Sequence, residues 1–111
     1  MASVAEGYVV ACAVSDLPAR GKKTVKINGV SVLVVACESG YYAIENRCPQ
    51  TGRPIAHGKV LNCKLTSPHT GARYDLTTGK FVGGGQSPLQ SHWLTVFPLS
   101  VVDDKVYIHL S

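Results

Sequence analysis

The chain has 111 residues, which is enough for one domain with a modest core. Its hydrophobic content of 45% is ordinary for a globular protein, and its net charge of +4 favours an acidic partner but is too small to indicate nucleic-acid binding. No apolar run is long enough to cross a bilayer, and the N-terminal residues lack the basic flank and apolar core of a secretory signal.

Short apolar runs alternate with turn residues along the chain, and no window shows a long helical period, so the sequence predicts an all-β protein. The predicted strands cover residues 8–14, 24–27, 30–37, 41–44, 60–65, 73–75, 93–101 and 105–110. Asn28-Gly29 is the strongest two-residue hairpin signal, and Asp103-Asp104 marks a closing hairpin. One helical turn is expected within residues 15–21 and a loop over residues 83–88.

The order of these elements predicts a small antiparallel barrel or sandwich that forms a single domain over residues 1–111. Two loops rich in glycine and proline precede the closing hairpin, so a loop-bearing subdomain is expected at about residues 46–80. In the last strand, Val106, Ile108 and Leu110 alternate with more polar residues, which predicts one buried and one solvated face.

Two segments, GYYAIENRCPQ at residues 40–50 and SPHTGARYDLTTG at residues 67–79, resemble the two cluster-binding loops of Rieske [2Fe-2S] proteins. That family reads Cys-x-His and, roughly 15–17 residues later, Cys-x-x-His, because two thiolates and two imidazoles hold the irons. The spacing is kept here, but the four ligand positions are occupied by Cys48, Gln50, Ser67 and Thr70. The resemblance therefore implies a Rieske fold that has lost its cluster, with no metal and no cofactor expected.

Alternative metal sites would have to use other residues, because amides and protonated hydroxyls are poor ligands for iron compared with thiolate and imidazole. A slipped [2Fe-2S] site through Cys48, Cys63 and His69 lacks one ligand unless His57 joins it. The same four residues as a zinc site match no finger or ribbon spacing. We therefore expect Cys63 to lie in a strand and His69 in an exposed loop.

The four cysteines are scattered, and two of them lie within apolar strands, which favours a reducing compartment over a disulfide framework. A Cys48–Cys63 disulfide would require both loops to pack together, and the expected compartment argues against it. Cys48 is also a candidate redox-sensing thiol, since Arg47 and Arg53 would favour its thiolate. However, no neighbouring histidine supplies the base that nucleophilic catalysis needs.

The stretch from residue 46 to residue 80 carries six basic residues and one carboxylate, Asp75, and so has a local charge of +5. The basic residues are Arg47, Arg53, Lys59, Lys64, Arg73 and Lys80. In Rieske ferredoxins this end meets the electron-transfer partner, so the resemblance implies a docking patch for an acidic protein. A solvated basic rim without a partner is the alternative. A second basic cluster near the first hairpin, formed by Arg20, Lys22, Lys23 and Lys26, is expected to be solvated edge-strand protection.

The resemblance implies a non-enzymatic, structural or interaction role in a redox or photosynthetic assembly. Rieske-like relatives without ligands include the small subunit of assimilatory nitrite reductase and a plastid protein associated with photosystem II. The retained Cys48-Pro49 and residues 71–75 place this chain nearer the ordinary Rieske ferredoxins. The alternatives are a [2Fe-2S] ferredoxin serving an oxygenase or reductase, and a thiol sensor through Cys48. The expected location is a reducing compartment: plastid stroma, thylakoid surface or cytoplasm.

Overall fold

A computed structural model of the chain describes residues 7–17, 21–37, 40–48, 52–68, 70–84 and 93–110. These ranges contain eleven strands and one short 3-10 helix, Val14–Asp16. The strands are β1 (Tyr8–Ala13), β2 (Lys22–Ile27), β3 (Val30–Cys37), β4 (Gly40–Glu45), β5 (Lys59–Leu61), β6 (Lys64–Thr66), β7 (Ala72–Asp75), β8 (Phe81–Gly84), β9 (Val96–Phe97), β10 (Leu99–Val102) and β11 (Lys105–His109). The predicted all-β class is confirmed. Within the described residues, no helix is long and apolar enough to span a membrane.

The strands form three antiparallel sheets. Sheet one has the order β1-β11-β10, sheet two the order β2-β3-β4-β9, and sheet three the order β5-β6-β7-β8. Sheet three lies between β4 and β9 in the chain, in the region where the sequence predicts a loop-bearing insertion. Its extent of 46–80 as a subdomain stays a prediction.

The central strand β3 contributes to two hydrophobic cores because successive side chains of a strand point to opposite faces of its sheet. Val34 is fully buried in one core with Ile108 of sheet one. Leu33 and Val35 lie in the other core, here called the second core, with Tyr74 of sheet three. Sheet two is therefore covered on both faces, which explains why β3 reads as a continuous apolar run.

Both predicted hairpin turns are confirmed. Asn28 and Gly29 have φ values of 51° and 82°, and Asp103 and Asp104 have φ values of 51° and 63°. A two-residue turn of this type requires positive φ at both central positions, where asparagine, aspartate and glycine are tolerated best.

The predicted strand over residues 60–65 is wrong, because the segment is a hairpin. Asn62 and Cys63 have φ values of 53° and 57°, which end β5 and start β6. The predicted strand over residues 93–101 is likewise divided into β9 and β10. Pro98 lies between the two strands and has no N–H to donate to a ladder.

The glycine-rich segment that was expected to start a loop at residue 83 is partly a strand. Gly83 and Gly84 close β8, where they pair with Arg73 and Ala72 of β7. Glycine has no side chain from which a strand could be predicted. The end of β8 is therefore set by its pairing with β7, which the local sequence does not reveal. The rest of the predicted loop, 85–88, lies outside the described residues.

A disulfide joins Cys37 and Cys63, whose Cα atoms are 5.6 Å apart. The expectation of reduced cysteines is wrong for this pair, and Cys63 does not pair with Cys48. The physical reason is the Asn62-Cys63 turn, which removes Cys63 from a strand and directs it to the end of β3. The bond therefore ties sheet two to the β5–β6 hairpin of sheet three.

Candidate functional site

Two loops meet beside the second core, and one residue of each, Cys48 and Ser67, is buried there. Loop 1 is the connection 46–58 between β4 and β5, and loop 2 is the connection 67–71 between β6 and β7. Cys48 and Ser67 have exposed fractions of 0% and 1%. Cys48 Sγ lies 3.5 Å from Ser67 Oγ, within hydrogen-bonding distance for sulfur. The structure thus brings the first and third predicted ligand positions together.

Hydrogen bonds from the backbone of Cys48 close loop 1. The Cys48 N–H donates to the carbonyl of Arg53 at 2.7 Å, and the Gly52 N–H donates to the carbonyl of Cys48 at 2.9 Å. Gly52 has a φ of 76°, a conformation that glycine adopts without steric cost.

Loop 2 repeats this arrangement at the same spacing. The Ser67 N–H donates to the carbonyl of Ala72 at 2.8 Å, and the Gly71 N–H donates to the carbonyl of Ser67 at 3.0 Å. Gly71 has a φ of 78°, matching the glycine of loop 1. The two loops share one backbone frame, although the residues at its start, Cys48 and Ser67, differ.

Asn46 anchors loop 1 and was missed in the sequence. Its Oδ1 accepts the N–H of Ile55 at 2.8 Å, and its Nδ2 donates to Ser31 Oγ at 3.2 Å. Its own N–H donates to the carbonyl of Ser31 at 2.9 Å. An asparagine directly after a strand is a recognisable signal, since its side chain readily bonds nearby backbone.

The other proposed ligands are engaged differently or lie outside the described residues. Thr70 Oγ1 accepts the N–H of Ala72 at 3.2 Å, so it takes part in the hydrogen bonding of loop 2. Gln50 and His69 are not among the described residues, so their predicted places stay predictions. His57 is exposed. Cys63 is in the disulfide, which removes it from both the slipped cluster site and the zinc site.

The donors that the structure describes in the two loops do not fit a Rieske cluster, which takes two thiolates and two imidazoles. The described positions offer the Cys48 thiol and the hydroxyls of Ser67 and Thr70. A hydroxyl keeps its proton near neutral pH and supplies no soft anionic donor. Among the described residues, no group of three or more histidine, cysteine or acidic side chains could hold a metal ion.

Burial also bears on Cys48 as a redox sensor. Reactive cysteines lie in partially exposed, electropositive surroundings, whereas buried structural cysteines are inert. Cys48 is fully buried in the second core and faces a hydroxyl, so the structure gives it the setting of a packing residue.

Three of the six predicted patch residues share one groove. Lys59, Lys64 and Arg73 line a cavity of about 240 Å³ on sheet three, together with Leu61, Asn62 and Thr66. The other three basic residues of the predicted patch do not line this groove. Arg47 and Arg53 belong to loop 1, where the Arg47 guanidinium lies beside Gly52. The Lys80 Nζ lies 6.0 Å from the ring centre of Trp93. The groove is therefore a concave surface formed by three residues of the predicted patch.

Lys22 is not a solvated edge residue, contrary to expectation. Its Nζ donates to the carbonyl of Ala56 at 2.7 Å and also to the carbonyl of Gly58. Partial burial lowers the pKa of the Lys22 amine. Lys22 thus connects β2 to the end of loop 1, a long-range contact that a strand pattern does not contain.

Asp75, which lies opposite Lys64 in the strand register, belongs to the β7–β8 turn. Its Oδ1 accepts the hydroxyl of Thr77 at 2.7 Å and the N–H of Thr77 at 2.8 Å. The pKa of Asp75 is lowered, first by the side-chain hydrogen bond and then by the backbone one, with a smaller contribution from Lys64. The Asp75 carboxylate is therefore stabilised mainly by hydrogen bonds from Thr77 within its own turn.

A family profile and one curated relative match nearly the whole chain. The profile described as Rieske-like [2Fe-2S] domain matches residues 7–109. Apoptosis-inducing factor 3 of Homo sapiens is 28% identical over 103 residues, which are 90% of this chain and 16% of that protein. The chain therefore spans only a small part of that relative's length.

Solved structures share the fold over nearly the full chain. The ferredoxin of carbazole 1,9a-dioxygenase from Nocardioides aromaticivorans has a TM-score of 0.81 at 17% identity, covering 96% of this chain and 100% of that one. A chain from the complex of reduced oxygenase and oxidized ferredoxin in carbazole 1,9a-dioxygenase has a TM-score of 0.80 at 23% identity, covering 95% and 94%. A protein assigned as the small subunit of an NADPH nitrite reductase has a TM-score of 0.79 at 23% identity, covering 93% and 98%. Identities this low establish the fold alone.

Proposed function

The chain belongs to the Rieske-like [2Fe-2S] domain family, and from this premise we propose that it is a member without the cluster that serves as a protein-interaction domain in a redox assembly. A domain of this family is at most an electron-transfer component and is not itself a catalyst. The proposal therefore concerns what occupies the two loops and what the surface beside them binds.

The contact between Cys48 and Ser67 carries the proposal. The buried Cys48 thiol and the buried Ser67 hydroxyl lie 3.5 Å apart, so each provides the other with the hydrogen-bonding partner that a buried polar group needs. Backbone hydrogen bonds close both loops. Together with the Cys48–Ser67 contact, they support the proposal because groups of the chain itself hold the two loops in place.

The partner that we propose is an acidic protein, because basic residues dominate the stretch between residues 46 and 80. The finer role is in a photosynthetic, photosystem II-associated assembly, which rests on the resemblance to plastid Rieske-like proteins. The proposed location is the plastid stroma or the thylakoid surface, with the cytoplasm as the alternative. Disulfides persist in oxidising compartments and are rare in reducing ones, so the thiol state of Cys37 and Cys63 in protein from its native source tests the location.

Iron and acid-labile sulfide analysis after anaerobic reconstitution tests the proposal. We expect no stoichiometric iron or sulfide, a colourless protein and no electron paramagnetic resonance signal after reduction, because three of the four ligand positions are not thiolate or imidazole. Two irons per chain with a Rieske-type signal would contradict the proposal.

A Rieske-type ferredoxin that carries electrons to an oxygenase or reductase is the second candidate. The retained backbone frame of both loops favours it, since the hydrogen bonds of Cys48 and Ser67 repeat at the same spacing. It would require cluster donors other than those that the described residues present. The same reconstitution experiment decides between the two candidates.

A further inference from the structure

The outer face of sheet three gathers most of its polar side chains into two rows across the strands. The strand register places Lys59 opposite Thr66 and Thr66 opposite Arg73, and it places Leu61 opposite Lys64 and Lys64 opposite Asp75. Leu65 and Tyr74, which alternate with these residues, are fully buried on the inner face. The two rows are therefore presented together on the surface.

The groove on this face is lined by one exposed apolar side chain, Leu61, and by three cationic side chains. Leu61 has an exposed fraction of 67%, which is high for a leucine in a strand. Lys59, Lys64 and Arg73 line the same groove of about 240 Å³. Arg73 Nη2 lies 3.3 Å from the point that a Cβ at Gly83 would occupy, so its guanidinium extends along the backbone of β8.

The disulfide fixes the hairpin that forms one side of this groove. Cys63 lies in the turn between Leu61 and Lys64 and is bonded to Cys37 of sheet two. The Leu76 N–H also donates to the carbonyl of Cys63 at 2.9 Å. A surface that is ordered before binding loses less conformational entropy when a partner docks.

We propose that this groove binds an acidic segment of a partner protein, with an apolar side chain of that segment against Leu61 and its carboxylates beside Lys59, Lys64 and Arg73. The inference rests on the proposed function and locates the docking surface on the outer face of sheet three rather than at loop 1, which carries Arg47 and Arg53. Charge complementarity selects the acidic character, and the exposed leucine selects an apolar residue within it.

Two other occupants are disfavoured by the same residues. A second copy of the chain would bring like charges together across a symmetric contact, which opposes self-association through this face. Single-stranded nucleic acid is usually bound on aromatic side chains that stack with bases, and the described lining residues of the groove include none.

Titration of the isotope-labelled full chain with synthetic peptides, followed by amide chemical shifts, tests the inference. The probes are a ten-residue glutamate-rich peptide with a central leucine, the same peptide with alanine in its place, and a ten-residue oligothymidylate. We expect saturable shifts of the Leu61, Lys64 and Arg73 amides with the leucine peptide and weaker binding of the alanine peptide. The oligonucleotide should cause no saturable shifts at these amides.

Charge-reversal variants provide the matched comparison. Lys59→Glu with Lys64→Glu should weaken binding of the leucine peptide by about tenfold or more, because two attractions become repulsions. Lys26→Glu with Lys105→Glu changes the net charge equally at exposed sites on other sheets and should change the affinity less than about twofold. Leu61→Ala should remove the difference between the leucine and alanine peptides.

Several results would overturn the inference. Equal losses for the two double variants would show a general charge effect, and oligonucleotide shifts at the same amides with higher affinity would indicate a nucleic-acid site. Peptide shifts confined to loop 1 would move the docking surface to that loop and leave the proposed function intact. Bound iron and sulfide would instead contradict the proposed function without affecting the peptide result. The amide spectra of the variants show whether each remains folded.

Discussion

The buried pair of Cys48 and Ser67 is where the proposed loss of the cluster has a direct consequence for stability. Ser67, predicted to stand at the family's second thiolate position, places its hydroxyl 3.5 Å from Cys48 Sγ. A hydroxyl is smaller than a thiol, and this one lies within hydrogen-bonding distance of the Cys48 sulfur. The side chain thereby becomes part of the core, where its loss has a cost in stability.

Ser67→Ala should lower the free energy of unfolding by about 1 kcal/mol, because it removes a buried hydrogen bond from Cys48. Urea denaturation monitored by the fluorescence of Trp93 measures the change. Ser100→Ala, on a strand of sheet one, is the control and should change stability less. An unaltered midpoint for Ser67→Ala would show that the pair contributes nothing to folding.

The Asp75 turn predicts a specific dependence on pH. Since the folded pKa of Asp75 is lowered below its ordinary value of 3.8, its ionised form stabilises the fold above that value, and the contribution is lost as the pH falls through the folded pKa. Thr77→Val should raise the pKa of Asp75 and flatten this dependence. The loss of stability at neutral pH should stay below about 1 kcal/mol, because the turn is solvent-exposed.

Side-chain carboxyl shifts in a pH titration from 2 to 7 measure this pKa directly. Thr78→Val is the control: its hydroxyl accepts the N–H of Lys80 and makes no bond to Asp75 in the turn. A pKa of Asp75 that is the same in the wild type and in Thr77→Val would contradict the assigned cause.

At the scale of an element, the β5–β6 hairpin depends on a bond to another sheet. Three-residue strands contribute few hydrogen bonds, so the hairpin needs support beyond its own pairing. The Cys37–Cys63 disulfide supplies it across a sequence separation of 26. The hairpin that carries the proposed groove is thus fixed by a long-range covalent contact.

Cys37→Ser with Cys63→Ser should reduce the free energy of unfolding by about 3 kcal/mol, since the closed chain segment restricts the unfolded state. The Leu76 amide, which donates to Cys63, should lose protection from hydrogen exchange. Adding dithiothreitol to the wild type should reproduce the effect and leave the double variant unchanged. If the reductant has no effect on wild-type stability, the disulfide does not support the hairpin.

At the scale of the whole molecule, the predictions that succeeded rested on local signals. Asn28-Gly29 specified its hairpin because positive φ at two adjacent residues is a local requirement. The two loops were recognisable as those of the family because each is defined by a short segment of sequence. In each segment the same pair of backbone hydrogen bonds closes the loop at a glycine, Gly52 or Gly71. The all-β class followed from the same short-range periodicity.

The predictions that failed depend on contacts between distant residues. Residues 60–65 are predicted as one strand from a short apolar run, whereas Asn62 and Cys63 form a turn and Cys63 is bonded to Cys37. Lys22 read as a surface charge, whereas its amine reaches the carbonyls of residues 56 and 58. The pairing of Gly83 in β8 depends on the neighbouring strand. None of these contacts has a signature in the local sequence.

Anaerobic reconstitution with iron and sulfide tests the central claim most directly. It is carried out in parallel on the wild type and on a variant that combines Gln50→His, Ser67→Cys and Thr70→His. The variant restores all four donors on a backbone frame that still closes both loops, so it should take up two irons and absorb visible light. The wild type should remain colourless and free of stoichiometric iron and sulfide. A wild type that acquires a cluster as readily as the variant would contradict the account.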